Sequence, residues 1–201
     1  MGRKSKADER RPEILEHAYQ VVKREGLENT TLAKIAEDMG VATSLLTHYY
    51  KSKIDIIESL GEYLSEKYNA TVEVDFSKIE DPQQRLNAVL DARFWEYKND
   101  EPDDKVWYDV YNLSLRNDRI KKSFTEFYEN DLKLAMNDLE AALNGATGGV
   151  NREDLGTALL MMMEGIGYYN SIMSEKQDIS GAAEVMKDMV LTYLDKLKEE
   201  K

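Results

Sequence analysis

The stretch GVATSLLTHYYKSK, residues 40–53, places Thr43, Ser44, Thr47 and His48 on one side of a short helical period. These are three small hydroxyls and one imidazole. None can build a core, yet all can hydrogen-bond phosphate oxygens or meet base edges. A helix offering such a side fits the major groove of duplex DNA, which admits a single α-helix. Val41, Leu45 and Leu46 face the other way and can pack against Leu32, Ile35 and Ala36 of the preceding segment.

Three helices must hold that surface in place. The first is expected over about 9–25, with Ile14, Ala18 and Val22 at four-residue spacing, and Gly26 stops it. The second is TLAKIAEDM, capped by Thr30 or Thr31 and closed by Gly40. The third, about 42–50, follows almost at once, which is helix-turn-helix spacing. Further helices are expected over 53–71, 82–98, 102–116, 118–143, 151–174 and 180 to the C-terminus. Asp81-Pro82-Gln83-Gln84 reads as a cap, an N1 proline and a capping-box glutamine, while Asp118 and Asn151 head later helices. No strand pattern or internal repeat is present. The fold class is all-α, with a basic flexible tail at 1–8, a helix-turn-helix domain at 9–53 and a larger helical domain at 54–201.

Composition narrows the chemistry. Among 201 residues, 42% are hydrophobic and 33% charged, which describes a globular chain with a real core. There is no cysteine and there are only two histidines, so thiolate sites, disulfides and histidine-based metal clusters drop out. The net charge is -12, unevenly spread: residues 1–53 hold ten Lys/Arg against eight Asp/Glu, and the rest is strongly acidic. An acidic body is repelled by nucleic acid, whereas the near-neutral front with its basic tip is not. No apolar run is long enough to span a bilayer and the start lacks a signal-peptide pattern, so a cytoplasmic protein without membrane partners is expected.

Thr31, Ile35, Ala36, Gly40, Val41, Tyr49, Tyr50 and Lys53 match the T-x-x-x-I-A, G-V-S, aromatic and lysine elements of a known signature. Over about residues 10–57 the chain resembles the tetracycline-repressor (TetR) family of bacterial regulators, and His48-Tyr49 is similar to its BetI-like branch. The resemblance implies that Thr43, Ser44 and Thr47 face the major groove of operator DNA. It implies that His48, Tyr49 and Lys53 hold backbone phosphates and that Thr31 meets phosphate at the start of the second helix. Arg10 or Arg11 would add a further contact. Ala42 replaces the family's usual capping serine, which leaves Thr43 to cap, and Thr47 replaces a common aromatic contact. On the residues alone, Tyr50 reads as a core plug, and Tyr49 is open to either role.

In the body, LGTALLMMMEGIGYYNSIM is apolar almost all round, and such a helix must be buried on both sides. A homodimer satisfies this, with Leu159, Met162, Ile166 and Tyr169 pairing with Met189 and Tyr193 of the last helix and their copies; Gly165 would permit close approach. An aromatic zone includes Trp95, Tyr97, Trp107, Tyr108, Tyr111, Phe124 and Tyr128. So many polar-tipped rings are costly to bury without partners and point to a cavity between helices. Glu164, alone in the apolar run, and Tyr168 complete this candidate effector pocket. The resemblance extends loosely over 82–173 to a BetI-type effector domain and implies a cationic or aromatic-bound small molecule.

No glycine-rich phosphate loop, nucleophile motif or metal constellation is present, so neither catalytic residues nor a cofactor is assigned and an enzyme is not expected. The expected function is a ligand-responsive DNA-binding transcriptional regulator, a homodimeric repressor released from its operator by an effector. The alternative is a helical protein-interaction module that has lost DNA binding.

Overall fold

A computed structural model of the chain describes residues 6–71, 76–95, 102–143 and 149–199. Residues 1–5 of the expected tail, and Tyr97, lie outside them. The described residues form nine α-helices and a 3-10 turn at Phe76–Lys78, and contain no strand. They group into two compact units: Met1–Thr71 with Glu101–Glu126, and Val72–Asp100 with Phe127–Lys201.

The first unit begins with α1 (Lys6–Glu25), three residues earlier than expected. Ile14, Ala18, Val21 and Val22 recur at helical spacing and are buried. Gly26, at φ 81°, ends the helix in the left-handed region that glycine enters without a Cβ clash. Thr31 caps α2 (Leu32–Asp38), its Oγ1 accepting from the Lys34 amide at 3.2 Å. The turn to α3 (Thr43–Tyr49) is closed by two bonds, Gly40 N–H to Glu37 O at 3.0 Å and Val41 N–H to Ala36 O at 2.9 Å. With Gly40 at φ 67° this is a Schellman motif, which satisfies the last carbonyls of α2 and fixes how the chain leaves it. Ile14, Ala18, Val21, Ile35, Ala36, Leu46, Tyr50 and Ile56 then form one core.

Ser52 and Asp55 open α4 (Lys53–Thr71) with a reciprocal capping box: Asp55 N–H donates to Ser52 Oγ at 3.3 Å, and Ser52 N–H to Asp55 Oδ2 at 3.1 Å. Ile56, Ile57, Leu60 and Leu64 bury one side of α4. Asp103 caps α6 (Asp104–Ser114). At the head of α7 (Asp118–Leu143) the cap is Asn117, not Asp118: its Oδ1 accepts from the amides of Arg119 at 3.0 Å and Ile120 at 3.1 Å. Asp118 is the first helical residue, where its charge still favours the helix dipole. Because α1 contacts both α4 and α6, the compact unit around the expected helix-turn-helix is larger than residues 9–53.

The second unit contains α5 (Pro82–Phe94), the later part of α7, α8 (Arg152–Met173) and α9 (Ser180–Glu199). Asp81 caps α5, accepting from the Gln84 amide at 2.7 Å, and Asn151 caps α8, accepting from Glu153 at 3.0 Å. The core includes Leu86, Leu90, Phe94, Leu139, Leu159, Ile166, Leu194 and Leu197. Gly156 permits a close crossing of α7 and α8, since a Cβ there would stand 2.9 Å from Leu132 Cδ1. Leu159 and Ile166 correct an expectation: placed in the dimer interface by sequence, they are 4% and 6% exposed and pack inside their own subunit. The exposed side of α8 and α9 carries Met161, Tyr168, Tyr169, Ile172, Val185, Met189 and Tyr193 instead.

Candidate nucleic-acid interface

The polar side of α3 is outward. Thr43, Ser44, Thr47 and His48 are exposed, Tyr49 is half-buried, and Leu46 is fully buried beneath them. Period and burial thus agree along two turns. Ala42 occupies the N-cap position and makes no side-chain cap, and Thr43 is the first helical residue. Thr43 is therefore not consumed as a cap, contrary to expectation. Thr47 Oγ1 donates to Ser44 O at 3.0 Å, so its hydroxyl presents acceptor lone pairs and a methyl group outward. The His48 and Tyr49 rings meet edge-on at 5.1 Å between centroids, which steadies both at the end of the helix.

Tyr50 closes the core at 3% exposure, with the Arg11 guanidinium 4.9 Å from its ring centroid. Arg10 is paired with Glu13 at 2.7 Å. Thr31 is exposed, but its oxygen is already committed to capping α2. Lys53 is half-buried, and its Nζ donates to Leu27 O and, at 3.2 Å, to Glu28 O. The residue expected to bind phosphate is thus held on the α1–α2 turn, with one of three N–H donors remaining. Lys51, which no sequence pattern singled out, is exposed and its ammonium makes no ion pair among the described residues. Its signal was only its place just past the third helix.

Behind this surface, Asp38 ties the ends of α1 and α2 together. It meets His17 Nδ1 at 2.7 Å and Arg24 at 3.1 Å. The His17 hydrogen bond, helped by Arg24, holds the Asp38 carboxyl below its ordinary range.

The expected effector residues divide between the units. In the first, Trp107 and Phe124 are buried and meet edge-on at 5.1 Å, Tyr111 meets Phe124 at 5.3 Å, and Tyr108 meets Tyr111 at 6.5 Å. Tyr68 adds a tilted ring 5.6 Å from Trp107. In the second unit, Trp95 packs on the core, and Tyr128 lies close enough to Glu164 for its hydroxyl to act on the carboxyl. Burial raises the Glu164 carboxyl above its usual range; the nearby Tyr128 hydroxyl lowers it and the Asp131 charge raises it further. Asp131 is itself buried and paired with Arg93 at 2.8 Å. Tyr168 corrects an expectation: at 57% exposure it lies on the outer surface, not in a pocket. Between α8 and α9 a groove of about 660 Å³ is lined by Leu155, Ala158, Met162, Val185, Met189 and Tyr193.

Among the described residues, no group of three His, Asp or Glu side chains could hold a metal ion, and no helix is long and apolar enough to cross a membrane.

Two short helices joined by a Schellman-closed turn, the second with an exposed hydroxyl side, make a helix-turn-helix of the DNA-binding class. The family model described as bacterial regulatory proteins, tetR family, matches residues 14–60, and that of the tetracyclin repressor-like C-terminal domain matches residues 81–196. The chain belongs to the TetR family. It is a DNA-binding transcriptional regulator, not an enzyme. An HTH-type transcriptional regulator BetI from Vibrio campbellii is 22% identical over 194 residues, covering 94% of this chain and 96% of its own. A transcriptional regulator from Saccharomonospora viridis, solved in complex with choline, is 19% identical with a TM-score of 0.72, over 93% of this chain and 96% of that one. The regulator FadR from Bacillus subtilis, solved in complex with stearoyl-CoA, is 18% identical with a TM-score of 0.67, over 90% of this chain and 97% of that one.

Proposed function

We propose that the chain is a homodimeric repressor that reads operator DNA through α3 and leaves it when a small-molecule effector binds. Residues 9–53 would serve as the DNA-binding domain and 54–201 as the effector and dimerisation region, acting in the cytoplasm. The observation that carries this reading is the exposed row Thr43, Ser44, Thr47 and His48 above a fully buried Leu46. Lys51 would supply phosphate contacts at its end, with Tyr49 and Thr31 alongside, while Lys53 is held to the α1–α2 turn. Two such helices are needed for a tight site, because half-site contacts alone are few. The apolar side of α8 and α9, with Met162, Tyr169, Met189 and Tyr193, supports pairing with a second copy.

The effector class is open to this chain's own residues, since related folds hold ligands as different as choline and stearoyl-CoA. Glu164 beside Tyr128 favours a cation, which would stabilise the ionised carboxylate against burial. The rings of Trp107, Tyr111 and Phe124 favour an aromatic or alkyl group. Release is a population shift and requires the effector to bind the DNA-incompetent state more tightly.

The test begins with an operator selected from a random duplex pool, followed by fluorescence anisotropy. Thr43→Ala with His48→Ala is expected to weaken operator binding by roughly 10- to 100-fold, the worth of lost base and phosphate contacts. Unchanged affinity and salt dependence in that variant would sink the assignment of α3 as the reading helix.

A further inference from the structure

We infer that the Leu27 backbone is a relay that sets the pose of the recognition helix, gripped at its N–H by Asp109 of α6 and at its C=O by Lys53 of α4. This rests on the DNA-binding reading of α3. Leu27 lies just past Gly26, whose own N–H makes the last helical bond, to Val22 O at 2.8 Å. Beyond that point the Leu27 carbonyl accepts a long turn bond from the Thr30 N–H at 3.3 Å, and the further partners come from side chains. Asp109 Oδ2 accepts from the Leu27 N–H at 3.3 Å. Lys53 Nζ donates to the Leu27 carbonyl, and the same ammonium reaches Glu28 O at 3.2 Å. The two peptide planes that meet at the Leu27 Cα are therefore each held by a charged side chain, the first by a carboxylate and the next by an ammonium.

The two grips belong to different elements. Lys53 is the first residue of α4 and stands three residues after Tyr50, which closes α3. Asp109 is the end of a row that stitches α6 along α1. The Asp103 N–H donates to Tyr19 Oη at 2.7 Å, and Asp103 meets Lys23 at 3.6 Å. Tyr19 and Lys23 are one turn apart on α1 and Leu27 follows just past its end, so the contacts run along α1 towards the relay. Other positions of α6 carry Trp107 and Tyr111, set against Tyr68 and Phe124. A shift of α6 is thereby felt at the Leu27 backbone, and through Lys53 at the joint of α3 and α4. Asp109 and Lys53 are positioning residues, and neither belongs to the apolar core that holds the unit together.

Charge arithmetic makes the test sharp. Removing a carboxylate from a DNA-binding unit should by its field alone strengthen binding to phosphates, so a loss of affinity in Asp109→Leu has the opposite sign to the trivial effect. Operator affinity is measured across a salt series, with thermal unfolding alongside, for wild type, Asp109→Asn, Asp109→Leu, Lys53→Met and the double variant. Asp109→Leu is expected to lose about 10-fold in affinity with an unchanged melting temperature and salt slope. Asp109→Asn removes the same charge but keeps the acceptor oxygen, and should bind within about threefold of wild type. Lys53→Met should lose affinity with its salt slope nearly intact, and adding Asp109→Leu to it should cost little more. The relay is overturned if Asp109→Leu binds like wild type, if its loss tracks a lowered melting temperature, or if the two losses multiply. It is equally overturned if Lys53→Met cuts the salt slope by about 0.9, the mark of a phosphate anchor. Failure of wild type to select any duplex would strike the DNA-binding reading instead, leaving the two failures distinct.

Discussion

Two exposed helical surfaces in this chain have opposite chemistry. On α3 the outward residues are Thr43, Ser44, Thr47 and His48, and every large apolar side chain of that helix is wholly or partly covered. On α8 and α9 the outward residues include Met161, Ile172 and Met189, exposed by 69%, 63% and 61%. Polar hydroxyls gain nothing by leaving water unless a partner replaces each hydrogen bond, so the first surface suits a ligand rich in donors and acceptors. The second loses free energy while it stays wet, and it suits an apolar mate. Exposure alone does not define a site; the chemistry of what is exposed decides which kind of partner it awaits.

The largest effect is expected where that contrast is erased. Ile172→Asp with Met189→Asp places charge on the apolar side, and in a two-fold dimer each appears twice. Repulsion and desolvation of several kcal/mol should shift the monomer–dimer equilibrium by about 10³-fold, read by sedimentation, with far-ultraviolet dichroism unchanged. Operator affinity should collapse with it. A variant that remains dimeric would show that pairing uses another surface.

A smaller effect separates two glycines. Gly40 sits at φ 67° with nothing within 4 Å of the place a Cβ would occupy, so Gly40→Ala carries a purely conformational cost of about 1 kcal/mol. It should also weaken operator binding, because the Schellman turn sets the entry into α3. Gly165, inside α8, likewise has open space around it but an ordinary helical backbone. Gly165→Ala should stabilise the isolated helix by up to about 1 kcal/mol while weakening self-association, if α8 is approached closely by its copy. Chemical denaturation measured at several protein concentrations separates the two effects. A Gly165→Ala protein with undiminished dimerisation would place that position outside the contact.

The helix-turn-helix is legible in the sequence because its determinants are local. Gly26, Thr31 and Gly40 mark ends by caps and left-handed turns that need no tertiary partner, and the period of α3 separates Leu46 from Ser44 and Thr47. On α8 the same logic loses its phase. When Leu159, Met161, Met162 and Ile166 are all apolar, periodicity cannot tell the inward side from the outward one, and Leu159 and Ile166 turn out to face inward. Asn117 and Asp118 are both good cap formers, so only the hydrogen bonds choose between them. Lys53 shows a third limit: a four-carbon stem reaches either a phosphate or a carbonyl 26 residues earlier in the chain, and spacing is silent on which. Aromatic rings at helical spacing give the same pattern whether they fill a core or line a cavity, which is why Trp107 and Phe124 are legible as a cluster but not as buried.

The smallest expected effect sharpens the comparison through two carboxyls shifted in opposite directions. Asp38, held by His17 and Arg24, has its folded pKa lowered, so it contributes stability above its unfolded value that is lost as pH falls through the folded one. Glu164 has its folded pKa raised, chiefly by burial, with the nearby Tyr128 hydroxyl opposing and Asp131 adding to the rise. Between the unfolded and folded values the native state holds the extra proton, so stability declines as pH climbs through that window. Above that window the native state carries the penalty of a partly desolvated carboxylate. Glu164→Gln removes that charge while keeping shape and a hydrogen-bonding oxygen, and should raise the melting temperature at pH 7 by a few degrees. Below the ordinary glutamate range both proteins are neutral at this position, and the difference should vanish. A glutamine variant that is less stable at pH 7 would mean that the carboxylate is ionised and already compensated in the folded chain, and the case for a buried charge that a cationic effector could neutralise would fall with it.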